Sequence, residues 1–171
     1  MNSLRKLYRW IPALVLMAII FGFSSQSYEA QDLKPDIERA ISDRSIAERF
    51  GGIAFHYAGH EISIGSLGVA GFIEFFIRKS AHFSCYGLLG LLLMYALKSG
   101  GRPRRLLIAV LISFLYACSD ELHQMLTPGR TALFQDVLID TAGAICGGLL
   151  MILLEKWREK REIHILPNTE G

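Results

Sequence analysis

Four apolar segments dominate the sequence, and three of them are long enough to cross a lipid bilayer as helices. They run from about Tyr8 to Phe23, Phe72 to Leu97, Leu106 to Met125, and Leu133 to Leu154. A helix needs ~20 apolar residues to cross the hydrocarbon core, where the backbone must satisfy its own hydrogen bonds. The sequence therefore predicts an all-α, polytopic membrane helical bundle that forms a single domain over residues 1–171.

Composition supports a membrane protein and removes several other classes. The chain is 51% hydrophobic and has a mean hydropathy of +0.33, which is more apolar than ordinary soluble proteins. No phosphate-binding loop, dinucleotide fingerprint or RNA-binding motif occurs, so we expect no nucleic-acid partner. The three cysteines have neither the even number nor the spacing of a disulfide framework or zinc knuckle. The sequence predicts no cofactor.

The first apolar segment has two interpretations. A basic amino end, a short apolar core and a following run of serines are also the features of a secretory signal peptide. However, Phe23 and Gln26 interrupt the small residues that a cleavage site requires. We therefore expect an uncleaved anchor and four transmembrane helices, whereas cleavage would leave three.

Lysine and arginine residues predict the orientation. They are concentrated at the amino end, between residues 98 and 105, and after residue 155, whereas the turn between the third and fourth segments has only Arg130. The positive-inside rule then places both termini in the cytoplasm. Residues 24–71 become a small extracytoplasmic loop, with a predicted β-hairpin around Ala58 and Gly59, and residues 156–171 become a cytoplasmic tail.

Ionisable residues lie inside or beside three of these segments, although such residues are costly in lipid and usually serve a function there. The candidate functional residues are Lys79, His82, Tyr86, Asp120, Glu121, His123, Gln124, Arg130, Asp136 and Asp140. The predicted orientation brings those of all three helices to one depth on the extracytoplasmic side. The sequence therefore predicts a single polar cluster.

Helical spacing indicates which candidates share a face in the second and third segments. The three candidates of the second segment are spaced i, i+3 and i+7 and lie on one face. In the third segment Asp120, His123 and Gln124 share a face. Glu121 is turned from them by about 100°.

The fourth segment combines two aspartates with two glycines. Asp136 and Asp140 are spaced i, i+4, and Gly143 and Gly147 continue the same stripe as a GxxxG pattern. Small residues at this spacing let membrane helices approach closely. We expect the glycines to press against a neighbouring helix while the aspartates face the polar cluster.

Four interpretations of the cluster remain open. A purely structural network of ion pairs and hydrogen bonds would hold three helices together. Acid–base or phosphate chemistry would use Lys79 and Arg130 to hold an anion, and His82 or His123 to move protons. A divalent metal is the third interpretation, with Asp120, His123, Asp136 or Asp140 as ligands. The fourth is a proton or ion transport path, but the polar residues stop at one leaflet, which disfavours a monomeric transporter.

Four ordered motifs resemble the VanZ-like family of bacterial membrane proteins. They are Arg78-Lys79-Ser-Ala-His82-Phe-x-x-Tyr86, Ser119-Asp120-Glu121-x-His123-Gln124, Pro128-Gly129-Arg130, and Asp136-Val-Leu-Ile-Asp140-Thr-x-Gly143. The resemblance implies a small polytopic protein of the bacterial cytoplasmic membrane. The founding member of the family is associated with low-level resistance to teicoplanin, a lipid-tailed glycopeptide antibiotic. The resemblance supplies no reaction.

Together, these observations lead to one functional expectation and one alternative. We expect an outward-facing polar site that binds or modifies an anionic, lipid-linked component of the cell envelope, with a link to (lipo)glycopeptide resistance. Membrane lipids, a lipid-linked precursor and a lipoglycopeptide are the expected partners. The alternative is a non-catalytic envelope or scaffold protein whose polar cluster is structural. The sequence leaves open whether the protein is an enzyme.

Overall fold

The computed structural model describes residues 7–41, 43–128 and 131–165, and it is mostly helical. Its elements in chain order are α1 (Ile11–Ser24), a 3-10 helix (Glu29–Gln31), α2 (Lys34–Ala40), α3 (Asp43–Phe50), β1 (Ala54–Tyr57), β2 (His60–Ser63), α4 (Ile64–Ala96), α5 (Arg102–Gln124) and α6 (Phe134–Ile165). The strands form the predicted hairpin, in which Tyr57 pairs with His60. The fold is therefore a helical bundle with a small antiparallel sheet, and not strictly all-α.

Helix lengths and composition identify candidate membrane spans within the described ranges. Arg102–Gln124 and Phe134–Glu162 are long and apolar enough to cross a membrane, and a third span results if α1 and Glu29–Ala40, bent by 114°, are counted as one. The predicted second span lies in α4, where Glu74, Arg78 and Lys79 lower the hydropathy of its first turns. Four crossings therefore stay a prediction.

The longest helices form the centre of the bundle. Helix α4 packs most extensively against α6, and α5 packs against both. Gly143 and Gly147 make the α4–α6 contact close, because a Cβ atom on them would lie 2.2 Å from the carbonyl oxygen of Phe83 and 1.7 Å from that of Gly87. The predicted glycine face therefore presses against α4, and it sets the distance at which polar side chains of the two helices meet.

Helix α1 is part of the same bundle in the intact chain. It contacts α4 and α5, and its Ala13 and Ile20 belong to the hydrophobic core. The Tyr116 hydroxyl of α5 donates to the Met17 carbonyl of α1 at 2.6 Å. The polar side chain of Tyr116 thereby anchors an otherwise apolar helix.

A buried glutamate attaches the segment after α1 to α4. Glu74 is 2% exposed, and its carboxylate accepts hydrogen bonds from Arg78 Nη2 at 2.9 Å, the Tyr28 hydroxyl at 3.1 Å and the Leu33 amide at 3.1 Å. Arg78 also donates to the Gln31 carbonyl at 2.6 Å. Because both oxygens of Glu74 have donors, this network accounts for its own buried charge and has the character of a structural link.

The opposite end of the bundle has a second network of paired charges. Arg105 of α5 is buried, and its guanidinium donates to Glu155 Oε1 of α6 at 2.8 Å and to the Met94 carbonyl at the end of α4. Arg102 binds Glu155 and Glu159. These contacts join the ends of all three long helices. They also account for much of the basic charge that the sequence places between residues 98 and 105.

Candidate functional site

The lysine of α4 and the first aspartate of α6 form the outer part of the site. Lys79 Nζ lies 2.5 Å from Asp136 Oδ1, so Lys79 is paired with a carboxylate. The Tyr57 hydroxyl, at the end of β1, donates to the same oxygen. Lys79 Nζ also lies 4.8 Å from the centre of the Tyr57 ring and 5.5 Å from that of Phe75, in cation–π contact.

Tyr57 connects the hairpin electrostatically to several acidic residues. Burial, the hydrogen bond to Asp136 and the nearby carboxylates of Glu121 and Asp140 all raise the pKa of the Tyr57 phenol above its ordinary value. The neutral phenol is therefore the form that donates to Asp136. Sequence reasoning did not select Tyr57, because nothing in a hairpin strand indicates which membrane helix it will cover.

One turn farther along both helices, a histidine and an aspartate face each other. His82 Nδ1 lies 3.3 Å from Asp140 Oδ1, and Asp140 is completely buried. The distance allows an ion pair when the imidazole is protonated, but neither carboxylate oxygen of Asp140 has a hydrogen-bond donor among the described residues. Asp140 is thus close enough to stabilise a protonated His82 by charge.

Helix α5 contributes two further buried carboxylates and one amide. Gln124 donates to Asp120 Oδ2 at 3.2 Å, and the Leu133 amide donates to Glu121 Oε2 at 2.8 Å. Glu121 is therefore buried against the start of α6, although helical spacing turns it from Asp120. Within the described part of the chain, Asp120 Oδ1 and Glu121 Oε1 have no hydrogen-bond partner.

Tyr86 completes the part of the site that lies on α4. It is 1% exposed, and its hydroxyl has no hydrogen-bond partner among the described residues. Asp120 and Asp140 are among the groups that act electrostatically on this phenol. We call Lys79, His82, Tyr86, Asp120, Glu121, Gln124, Asp136 and Asp140 the polar cluster.

One candidate residue lies apart from the polar cluster, and another lies outside the described residues. His123 turns toward α1, where its Nε2 lies 3.1 Å from Ser25 Oγ and its ring stacks on Phe21 with centroids 4.4 Å apart. By helical spacing His123 lies on the same face of α5 as Asp120, but its side chain contacts α1. Arg130 lies outside the described residues, so its predicted role as an anion-binding cation stays a prediction.

The charges of the polar cluster are unbalanced. Asp120, Glu121 and Asp140 each have at least one carboxylate oxygen that lacks a hydrogen-bond donor in the described ranges, whereas Lys79 is committed to Asp136. Buried carboxylates without partners are strongly disfavoured as anions, so a proton, a water molecule, a cation or a ligand donor must compensate them. No group of three His, Cys, Asp or Glu side chains in the described ranges has the arrangement of metal ligands. The metal interpretation therefore gains no support from this geometry.

A cavity of about 490 Å³ adjoins the polar cluster. It lies between α1, the segment that follows it, and α4, and most of its wall is apolar. Four of its polar lining residues belong to the polar cluster, namely His82, Tyr86, Asp120 and Gln124, the last two on α5. Its other polar lining residues are Ser24, Gln26, Gln31 and Arg78. The cluster is thus open to an apolar space beside α1 and is not sealed within the helix bundle.

Comparison with known proteins gives one finding. A family model described as VanZ/LLP1 matches residues 9–155, a range that includes every residue of the polar cluster. The chain belongs to the VanZ/LLP1 family. No curated protein and no solved structure matches the chain. Membership of the VanZ/LLP1 family, together with the long apolar helices, identifies a membrane protein and confirms the resemblance drawn from the four motifs.

Proposed function

We propose that this VanZ/LLP1-family protein binds an anionic, lipid-linked component of the cell envelope at the polar cluster. The observation that carries the proposal is that a buried polar cluster adjoins a mostly apolar cavity of about 490 Å³. Ligand sites of this size are typically apolar with a few oriented polar groups. An amphiphile matches both parts, because its apolar portion fits the cavity while its headgroup contacts the cluster.

Anion binding would rest on two cations. Lys79 is 20% exposed on its side chain, so it retains access beyond its contact with Asp136. Arg130, in the turn between α5 and α6, is the proposed second cation, and a guanidinium binds a phosphate or carboxylate through two parallel hydrogen bonds. A headgroup phosphate would then replace part of the interaction that Lys79 makes with Asp136.

If the bound component is also modified, His82 is the residue best placed to move a proton. It borders the cavity, and Asp140 lies behind its Nδ1. General acid–base catalysis needs a titratable group such as an imidazole within reach of the substrate. A lipoglycopeptide, which combines a lipid tail with a polar head, is the second ligand that the same site would accept, and its capture would produce resistance.

The location follows from the distribution of basic residues. We propose a multi-pass protein of the bacterial cytoplasmic membrane, with both termini in the cytoplasm and the polar cluster facing outward. The support is the positive-inside rule applied to the loop before α5 and the end of α6. Envelope components assembled at the outer leaflet would reach a site with this orientation.

The proposed function is tested by measuring the ligand affinity of variants that conserve or remove a charge in the site. Purified protein in nanodiscs is titrated with a lipid-linked phosphate, and Arg130→Lys is expected to weaken binding by about tenfold, equivalent to ~1.4 kcal/mol. Asp120→Asn is expected to strengthen binding, because it removes a carboxylate that repels the phosphate. The matched controls are Asp36→Asn and Arg39→Lys, since these side chains are 75% and 80% exposed in α2. Unchanged affinity in both cluster variants, per folded molecule, would refute the proposed site.

A structural role for the polar cluster is the second candidate. The Lys79–Asp136 pair with its Tyr57 hydrogen bond favours it, because these three groups satisfy one another. In that case Asp120→Asn and His123→Gln would lower the amount of folded protein while leaving ligand affinity and glycopeptide susceptibility per folded molecule unchanged. Measuring both quantities on the same membranes separates the two candidates.

A further inference from the structure

The cavity beside the polar cluster has the mostly apolar lining that a site for an apolar chain requires. Its apolar wall is contributed by two facing helices, with Ile19, Ile20 and Phe23 on α1 and Ile77, Ala81 and Cys85 on α4. Its volume of about 490 Å³ lies within the range of small-molecule sites. Both walls belong to segments that the sequence predicts to be in or near the membrane, so an apolar chain would reach the cavity from the bilayer.

The polar side of the cavity contains a matched hydrogen-bond donor and acceptor. The Tyr86 hydroxyl and Asp120 Oδ1 both have no partner among the described residues, although Tyr86 is 1% exposed and Asp120 is 3% exposed. A phenol donates a hydrogen bond, and a carboxylate oxygen accepts one. A ligand hydroxyl, which both accepts and donates, would satisfy the two groups together.

Two other buried charge networks in the described part of the chain differ from this arrangement. At the opposite end of the bundle a cavity of about 560 Å³ is bordered by Arg102 and Arg105, but both guanidiniums already bind Glu155. Glu74 likewise has donors on both oxygens. Among the described residues, buried polar atoms without partners and a mostly apolar cavity coincide at Ser24, Tyr86 and Asp120.

We infer that the α1–α4 cavity holds one apolar chain of a membrane amphiphile, and that a hydroxyl next to this chain bridges Tyr86 and Asp120. This inference rests on the proposed function and refines its ligand class. The amphiphile would carry a hydroxyl-bearing portion at the chain end, in addition to the anionic group proposed to contact Lys79 and Arg130. The two contacts involve different residues and are separately testable.

Three photoreactive probes with the same long chain, which carries a diazirine, test the inference on the intact protein in nanodiscs. One probe ends in a hydroxyl, one in the corresponding methyl ether, and one in a phosphate. The alcohol is expected to label peptides that include residues 19–23 or 77–85. Ala81→Trp, which fills the cavity, should abolish this labelling. Leu107→Trp is the matched control, because Leu107 is 69% exposed on α5 and lies outside the cavity.

The hydroxyl contact has its own readout. The alcohol should bind about threefold to tenfold more tightly than the ether, as expected for one net hydrogen bond, because the ether cannot donate to Asp120. Asp120→Leu should therefore remove this preference. The ether comparison uses the unmodified protein, so it stays informative even if a variant folds poorly. Equal binding of alcohol and ether would overturn the hydroxyl contact and leave a bridging water as the partner of Tyr86 and Asp120.

The phosphate probe separates failure of this inference from failure of the proposed function. Equal labelling by the alcohol in Ala81→Trp and Leu107→Trp would overturn the chain site, whatever the phosphate does. If the phosphate binds no more tightly than the alcohol, while Ala81→Trp still blocks both, the anionic preference fails and the chain site stands. If the phosphate binds tightly and Ala81→Trp has no effect, the anion site stands and the chain site fails.

Discussion

Replacing Gly147 by alanine tests the packing that creates the site. A Cβ atom at Gly147 would lie 1.7 Å from the Gly87 carbonyl oxygen, half the 3.4 Å at which ordinary contact begins. The obstacle is backbone, so α4 and α6 must separate. Overpacking of this kind costs about 1–3 kcal/mol. We expect the larger part of this range, against a gain of about 1 kcal/mol in helix propensity.

A net loss of about 2 kcal/mol corresponds to a fall in the unfolding midpoint of roughly 4–8 °C for a chain of this size. The assay is thermal unfolding in a neutral detergent, followed by intrinsic fluorescence at a fixed scan rate. The matched control is Gly22→Ala in α1, where a Cβ atom would have no neighbour within 4 Å. This control is expected to be neutral or slightly stabilising, because only helix propensity changes.

The same substitution should loosen the polar cluster. Lys79 and Asp136, like His82 and Asp140, meet across the α4–α6 contact that Gly147 keeps close. We therefore expect Gly147→Ala to reduce ligand binding as well as stability. A midpoint equal to or above that of Gly22→Ala would show that close backbone packing at Gly147 does not hold the two helices together.

Three further predictions concern the ion pair, the topology and the hairpin. Lys79→Met should destabilise the protein by about 3 kcal/mol, the lower end for a broken buried pair, and adding Asp136→Leu should recover most of that loss in the same unfolding assay. In a background without native cysteines, a cysteine at Ala132 should react with a membrane-impermeant thiol reagent on intact cells, whereas one at Gly101 should not; labelling at Gly101 alone would reverse the orientation. The pKa of Tyr57 is raised above its ordinary value of 10.0, so its stabilising contact is fully present below pH 10 and is lost only as the pH rises through the higher folded-state value. In an alkaline absorbance titration, Tyr57→Phe should therefore remove one phenol that titrates late.

The sequence alone determined the helical architecture and most of the polar cluster. Runs of about 20 apolar residues allow little besides helices in a membrane, and α5 and α6 lie where these runs predicted them. The i, i+4 spacing placed Asp136 and Asp140 on the glycine face of α6, so both aspartates necessarily meet the helix against which that face packs. Such patterns can be recognised in the sequence because each depends on residues within a single helix.

Contacts between elements far apart in the chain were decided only by the tertiary structure. Helical spacing put His123 on the same face as Asp120. In the fold, however, its ring stacks on Phe21 and its Nε2 contacts Ser25, because α1 lies beside it. Glu121, turned from that face, still became buried, because the start of α6 supplies the Leu133 amide.

The hairpin contact and the cavity likewise depend on elements that are far apart in the chain. Tyr57 reaches Asp136 from 79 residues away, a contact that no local periodicity specifies. The cavity is lined by α1, the segment that follows it, α4 and α5, and the polar atoms of Tyr86 and Asp120 that lack partners among the described residues belong to its lining residues. Sequence determines which side chains each helix presents, whereas the packing of helices against one another decides which of those side chains are satisfied and which are left for a ligand.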